Sequence, residues 1–176
     1  MSEEHDPVAA LEADLAALAA AEADLERDAE AAERTRIERA GIGLADRLRA
    51  ARVPVRVTVL GGAAVAGLVA EVGADAVLLR PSVAGPVEHH LVRLAAITDV
   101  GGLTRGAAEP RGRLRPRSTA ALLRAWCRDR AAVSVALVDG SVRTGLAGAA
   151  YGDHLDLLTA TGPTVLPYAA LAVVSR

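Results

Sequence analysis

The chain contains one cysteine, three aromatic residues and no phenylalanine, lysine, asparagine or glutamine. A single cysteine excludes an internal disulfide, so nothing points to an oxidising compartment. The apolar run without a charge at residues 57–70 has 14 residues and three glycines, whereas a membrane-spanning helix needs about 20 apolar residues. Residues 1–4 lack the basic and apolar segments of an export signal. These absences predict a cytoplasmic protein without a membrane segment.

The residues that are present distribute charge unevenly. Alanine, arginine, glycine and valine dominate, and a hydrophobic content of 52% that owes much to alanine indicates an aliphatic core. The net charge is −2, but residues 1–40 hold twelve acids against four arginines. Residues 105–130 hold eight arginines against two acids. The sequence therefore predicts a molecule with an acidic end and a basic middle.

The acidic end has the pattern of a long helix. Asp6 is a suitable N-cap, and Pro7 fits the first helical position. Gly41 and Gly43 interrupt the helix, and a short second helix follows that must end before Pro54.

Apolar residues of the long helix form a heptad-like stripe with steps of four and three residues, although Glu22 occupies one of its positions. Two interpretations remain open. The stripe forms a coiled coil through which two chains associate, or the helix packs on the rest of its own chain. The glutamate favours the second interpretation. The residues that self-association would use are Leu11, Leu15, Leu18 and Leu25.

The periodicity changes to two after the helices, as a strand with one buried face requires. Val53, Val55, Val57 and Val59 lie on one face of this strand, and Gly61-Gly62 predicts a turn after it. Four more apolar stretches complete five short strands over about 48 residues, which suits a small, strongly bent barrel. These stretches are residues 64–72, 77–79, 91–94 and 97–100.

The same arrangement recurs 78 residues later in the chain. After a loop four residues shorter, Leu94-Ala95-Ala96-Ile97 aligns with Tyr168-Ala169-Ala170-Leu171. Glycine, aspartate and strand phase repeat together, which indicates a duplication. The matched positions include Gly62 with Gly140, Gly67 with Gly145, Asp75 with Asp153 and Leu79 with Leu157.

The pattern divides the chain into four parts. Residues 1–40 form the acidic helix, and residues 41–101 form a first small barrel with its leading helix. Residues 102–117 are a linker rich in proline, glycine and arginine, and residues 118–176 form a second small barrel with its leading helix. The predicted fold class is therefore mainly β with α, with two tandem five-stranded barrels behind a long N-terminal helix.

Each predicted barrel resembles the Sm-like, or SH3-like, small barrel. The shared features are a short helix, a strand ending in Asp-Gly or Gly-Gly, a glycine within the second strand and an aspartate before an apolar third strand. Nearly the whole chain also resembles an uncharacterised family of actinobacterial proteins that have an acidic N-terminal helix and two tandem small barrels. The matching segments are Val59-Leu60-Gly61-Gly62, Leu137-Val138-Asp139-Gly140 and Pro167-Tyr168-Ala169-Ala170-Leu171, together with the Arg-rich linker.

Sm-like membership implies RNA binding by a ring of subunits. The RNA sites of that family use an asparagine shortly after the aspartate that precedes strand three, and an Arg-Gly or Lys-Gly step before the last strand. This chain has Ala76-Val77 and His154-Leu155 in the first place, and Ala95-Ala96 and Ala169-Ala170 in the second. The resemblance therefore implies the fold without this RNA site.

Residues 57–67 resemble a dinucleotide-binding loop, with Gly62, Ala64 and Gly67 at the glycine positions. The second copy argues for a hairpin instead. Its equivalent turn, Asp139-Gly140, favours a type I′ hairpin.

No catalytic or metal site emerges from the remaining polar residues. His89 and His90 are neighbours on a predicted strand, so they point to opposite faces. Asp153-His154 is typical of a hairpin tip, and Cys127 on an apolar helix face is expected to be a structural thiol. We therefore expect no enzyme activity, no cofactor, no metal and no small-molecule substrate.

The arginine-rich segment is the strongest functional lead. Its side chains suit the phosphates of a nucleic acid. The alternative is that the segment is a solvated linker, or that it pairs with the acidic N-terminal helix of the same or a neighbouring chain. No aromatic residues alternate with the arginines and a matching acidic element is present, which favours this alternative. The contact residues in either case are Arg105, Arg111, Arg113, Arg115, Arg117 and Arg124.

The expected function is that of a non-enzymatic interaction or scaffold module. Small barrels offer open strand edges and shallow grooves to a protein partner or to a second copy. The alternative is an RNA-binding regulator of Sm-like type that uses the arginine-rich linker.

Overall fold

The computed structural model describes residues 7–104, 106–108 and 116–176. In this part of the chain the protein is mainly β, with three α-helices and ten strands in one antiparallel sheet. The chain divides into two compact units, with the boundary after Ile42.

The first unit contains helix α1 (Pro7–Ala40). Oppositely charged side chains three or four residues apart pair along it, with Arg34 to Glu30 at 2.8 Å and Arg36 to Glu33 at 3.1 Å. Such pairs add a few tenths of a kcal/mol each to a helix, about 0.2–0.5 kcal/mol. The side chains of Leu15, Leu18, Leu25 and Ile37 are exposed.

The second unit contains two halves with the same succession of elements. Each half has a short helix and then five strands, and a 3-10 turn precedes the fifth strand in both. The N-terminal half comprises α2 (Leu44–Ala50), β1 (Val55–Val59), β2 (Ala64–Val72), β3 (Ala76–Arg80), β4 (His90–Arg93) and β5 (Ile97–Gly101). The C-terminal half comprises α3 (Thr119–Arg128), β6 (Ala132–Leu137), β7 (Val142–Ala150), β8 (His154–Thr159), β9 (Gly162–Pro167) and β10 (Leu171–Ser175).

The strand order is β5-β1-β2-β3-β4-β10-β6-β7-β8-β9, so each half places its first strand between its second and its fifth. The strand registers also repeat. Val57 pairs with Val65 in the N-terminal half, and Val135 pairs with Arg143, 78 residues later, in the C-terminal half. The first and fifth strands carry a register shift at the same place in both halves.

A glycine in each second strand allows the next strand to approach closely. A Cβ added to Gly67 would lie 2.3 Å from the carbonyl oxygen of Arg80, and one added to Gly145 would lie 2.4 Å from that of Leu158. These distances are far below van der Waals contact. The repeated glycine is therefore required by the packing of the second strand on the third.

The hairpin predicted at Asp139-Gly140 is present, but it is not of type I′. The amide of Gly140 donates to the carbonyl of Leu137 at 3.0 Å, and Gly140 has a φ of +85°. A type I′ turn needs positive φ at both central residues, and Asp139 does not have it. The carboxylate of Asp139 instead accepts bonds from the amide and hydroxyl of Ser141, at 2.8 and 2.7 Å.

The buried core consists of two clusters, and each of them includes residues from both halves. The cluster around α3 and β6–β10 also contains Ala76 and Leu91 from the N-terminal half. The cluster around α2 and β1–β5 also contains Ala172 and Val173 from β10. Each core cluster of the second unit is therefore built from residues of both halves.

Candidate interaction surface

The two halves meet where β4 pairs with β10, and we call this region the seam. Leu91 lies opposite Val174 in the ladder. The pairing continues beyond the strands, because Arg176 and His89 exchange two backbone hydrogen bonds of 3.0 and 3.1 Å. Four residue pairs, eight residues in all, thus join the halves through a backbone ladder.

A polar cluster reinforces the seam at the start of α3. Asp75, in the turn before β3, accepts hydrogen bonds from the backbone amide of Thr119 at 2.8 Å and from its hydroxyl at 3.0 Å. Arg93 donates to both Asp75 and Thr119 at 2.5 Å. Thr119 is fully buried. Partial burial raises the pKa of the Asp75 carboxyl, but the bonds from Arg93 and Thr119 outweigh this effect and bring the pKa below its ordinary value.

Arg117, predicted to contact a nucleic acid or an acidic partner, forms a bidentate pair with Glu71 of β2. The hydrogen bond from Arg117 holds the pKa of Glu71 below its ordinary value, against a smaller effect of burial. The carbonyl of Arg117 also accepts from the amide of Ala74 at 2.8 Å. This arginine therefore pairs with an acid of its own chain.

An open groove of about 470 Å³ crosses the outer face of the C-terminal half. Its lining is mostly apolar, and the N-terminal half contributes Pro86 and Val87 from the loop before β4. The groove thus begins at the seam and runs across three strands. The residues that line it on these strands include Val133, Thr144, Gly145, Leu146 and Leu158.

The same position in the N-terminal half is basic. The cross-strand pair Leu146 and Leu158 corresponds to Leu68 and Arg80. Arg56 stands where the C-terminal half has Ser134, and both arginines are exposed. The two halves thus keep the same backbone but present different chemistry on the same face.

Most of the other residues predicted to form sites fall on parts of the chain that the structure does not describe. Arg105, Arg111, Arg113 and Arg115 lie outside the described residues, and so does the side chain of Leu11. Arg124 is exposed on α3. The exposed leucines of α1 have been given above.

His90, His154 and Cys127 occupy structural positions. His90 shares a hydrogen bond of 2.8 Å with the hydroxyl of Ser175 at the seam, and burial lowers its pKa. His154 bonds to Asp153 at 2.6 Å and stacks on Tyr151. Cys127 is half-buried, and burial raises the pKa of its thiol. Within the described ranges, no three His, Cys, Asp or Glu residues are grouped to hold a metal ion.

The segment that resembles a dinucleotide loop is a hairpin. Gly61 and Gly62 both have positive φ in the turn, and Ala64 begins strand β2 where a nucleotide-binding fold would begin a helix. The sequence argument from the second copy therefore led to the correct local structure.

Sequence reasoning missed the seam and its polar cluster. Asp75 was matched to Asp153 as a repeated residue, yet only Asp75 caps a helix, while Asp153 is exposed at a hairpin. The available signal was the divergence around this aspartate: Arg93 lies opposite Ala76, whereas Pro167 lies opposite His154.

Comparisons with protein-family models, curated proteins and solved structures give no match to this chain. Among the described residues, no helix is both long enough and apolar enough to span a bilayer.

Proposed function

We propose that the chain is a non-enzymatic, cytoplasmic protein-interaction module built on two tandem Sm-like small barrels. The order fifth-first-second-third-fourth strand in each half, with a short helix before it, supports the assignment of the fold. The shared core makes the two barrels a single rigid platform. The observation that carries the functional proposal is the apolar groove beside the seam.

The groove has the size and character of a ligand site. Binding sites in proteins usually occupy about 300–1,000 Å³ and are lined by apolar groups with a few polar ones. Here Leu146 is 42% exposed at the groove, and the hydroxyls of Ser134 and Thr144 lie on the strands beneath it. Exposed apolar side chains at a concave site mark a surface that gains from being covered.

The occupant that fits this groove is an extended apolar segment of a partner protein. The groove is open and crosses strands, so it suits a chain that enters and leaves rather than an enclosed small molecule. It is also continuous with the seam, where Pro86 and Val87 line one side of it. The arginines at the equivalent place in the N-terminal half are not needed for the fold, because the C-terminal half folds without them.

The test is selection of binding peptides from a displayed random library against the full chain. We expect apolar peptides to be enriched, and their affinity to fall about tenfold or more in a Leu158→Arg variant, which copies the residue of the N-terminal half into the groove. The matched control, Arg80→Leu, alters the equivalent residue outside the groove and should leave peptide affinity unchanged.

Two results would contradict the proposal. One is enrichment of peptides whose binding is the same in the wild-type and Leu158→Arg proteins. The other is the absence of peptide binding together with salt-sensitive RNA binding that falls in an Arg56→Ala, Arg80→Ala variant, which would favour the RNA-binding regulator.

Self-association through α1 is the second part of the proposal. Leu15, Leu18 and Leu25 are exposed at heptad spacing, which is the pattern of a two-stranded coiled coil. The occupant of this surface is a second copy of the chain. Two platforms would then be joined by their N-terminal helices, as expected of a scaffold.

A further inference from the structure

The seam provides a reference for judging the two outer edges of the sheet. In the described part of the chain, β5 pairs on one side with β1, and β9 pairs on one side with β8. β9 is the equivalent of β4, and β5 is the equivalent of β10. If the outer edges had kept the residues of the seam, β9 of one chain could pair with β5 of the next, and assembly would continue head to tail.

The β9 edge lacks two of the three backbone donors that the seam uses. In β4, the amides of His89, Leu91 and Arg93 lie on the side that faces β10, and that of His89 donates to Arg176 at 3.1 Å. The residues at these positions of the C-terminal half are Pro163, Val165 and Pro167.

The phase of β9 places both prolines on its outer side. The amide of Tyr168, just after the strand, donates to the carbonyl of Asp153 at 2.7 Å, so the amides of even-numbered residues face β8. The odd-numbered positions therefore face outward. Proline has no amide hydrogen, so only Val165 retains a donor on this side.

The apolar contacts of the seam are also missing from the outer edges. Leu78 packs against the core of the C-terminal half, and its equivalent is Asp156. On the other side, Ala172 and Val173 lie in the core of the N-terminal half, and their equivalents on β5 are Thr98 and Asp99, both exposed. A new pairing would bury the carboxylates of Asp156 and Asp99, and burying charges without partners opposes association.

We infer that both outer edges are built against strand pairing, so that the two halves form a complete unit to which no third copy can be added through the sheet. The two halves have edges at equivalent positions, but the residues on these edges differ. The edges of β4 and β10 form the seam, and the edges of β9 and β5 are blocked. Prolines and inward-facing charges on edge strands are common protections against edge-to-edge association. Any self-association of the chain then has to use another surface.

Two measurements test this inference. The first is amide hydrogen exchange of the full-length wild-type chain followed by NMR. We expect the amide of Leu91, which faces β10, to exchange roughly 100-fold or more slowly than the equivalent amide of Val165. Because the readout is local, it is independent of any association through α1. Protection of Val165 equal to that of Leu91 would overturn the inference.

The second measurement restores the seam residues at the outer edges. One variant carries Asp156→Leu, Pro163→His and Pro167→Arg, a second carries Thr98→Ala and Asp99→Val, and a third combines all five. Light scattering should show, for the combined variant alone, a mass that continues to grow beyond that of the wild type at the same concentration, since head-to-tail growth needs both edges. Far-UV circular dichroism confirms that each variant is folded. A folded combined variant with the mass of the wild type would also overturn the inference.

Discussion

At the scale of single residues, Asp75 makes the clearest contribution to joining the two halves. Its carboxylate accepts hydrogen bonds from the buried Thr119 and the half-buried Arg93, which lie far apart in the chain. Removing one partner of such a cluster leaves the others buried without their bonds, which costs more than the bonds themselves contribute. The equivalent Asp153 has an exposed side chain and bonds only to His154 among the described residues.

We expect Asp75→Ala to lower the free energy of unfolding by about 2 kcal/mol, because the amide and hydroxyl of Thr119 lose their acceptor. The matched substitution Asp153→Ala should stay within about 0.5 kcal/mol of the wild type. Urea denaturation curves of the three proteins give the comparison. Equal losses in both variants would show that Asp75 has no special role at the seam.

Asp75 and the separately paired Glu71 predict a dependence of stability on pH. The pKa values of Asp75 and Glu71 are lower in the folded chain than their ordinary values of 3.8 and 4.5. A carboxyl with a depressed folded pKa stabilises the fold above its unfolded pKa, and this stabilisation is lost as the pH falls through the folded pKa. We expect the urea midpoint, measured at intervals of about one pH unit, to fall between pH 5 and pH 3. It should fall less in Asp75→Ala. An identical pH profile in the variant would contradict this.

The repeated glycine of the second strand offers another test at this scale. In Gly145→Ala the new methyl group would meet the carbonyl oxygen of Leu158, so we expect a loss of about 2 kcal/mol or more in unfolding free energy. Gly152→Ala is the control, because nothing lies within 4 Å of its Cβ and its φ is not positive. Thermal denaturation of both variants should separate them, and a Tm of Gly145→Ala equal to that of the control would show that the strands can move apart.

At the scale of elements, alternation and repetition in the sequence predicted the strands well. The apolar stretch at residues 64–72 coincides with β2, and each of the other predicted strands overlaps an observed one. The first strand begins at Val55 rather than Val53, since Pro54 interrupts the pattern and Val53 is exposed. Periodicity is a local signal, so it locates strands with one buried face.

The pairing of β4 with β10 could not be predicted in this way. Leu91 and Val174 are apolar in a pattern that any buried strand would show, and nothing local tells which edge receives which strand. The turn at Asp139 was also assigned to the wrong type, because the dipeptide preference for type I′ gave way to a positive φ at Gly140 alone. Non-local pairing and exact turn geometry depend on the rest of the fold.

Helix α1 carries its own prediction about self-association. Glu22 occupies a position of the heptad-like stripe of α1 between Leu18 and Leu25, where in a coiled coil it would face its copy. We expect Glu22→Leu to tighten the dimer about tenfold or more, because a buried charge is replaced by an apolar side chain. Sedimentation equilibrium measures the change. Glu26→Leu adds the same side chain outside the stripe of α1. An equal effect of this substitution would exclude the proposed coiled coil.

At the scale of the whole molecule, the shared core predicts that the two halves unfold together. Leu91→Ala removes a fully buried side chain from a cluster that lies mostly in the other half, so we expect a loss of about 3 kcal/mol. The equivalent Val165→Ala, at a side chain 60% exposed, should change the unfolding free energy by less than about 0.5 kcal/mol. Urea denaturation measures both.

Trp126 provides a reporter of this cooperativity, since the only tryptophan of the chain lies in the core of the C-terminal half. We expect Leu79→Ala, a change in the N-terminal half, to shift the tryptophan fluorescence transition and the circular dichroism transition to the same urea concentration. Two separate transitions would show that the halves are independent domains.

The central position of β10 has a consequence for how the chain is made. The residues that β4 pairs with are roughly 80 positions further along the chain, a separation that makes the contact slow to form. While the ribosome is still synthesising the C-terminal half, the apolar edge at Leu91 and Val92 remains uncovered. Nascent chains of this protein should therefore depend on chaperones during that interval, and the folded product should not.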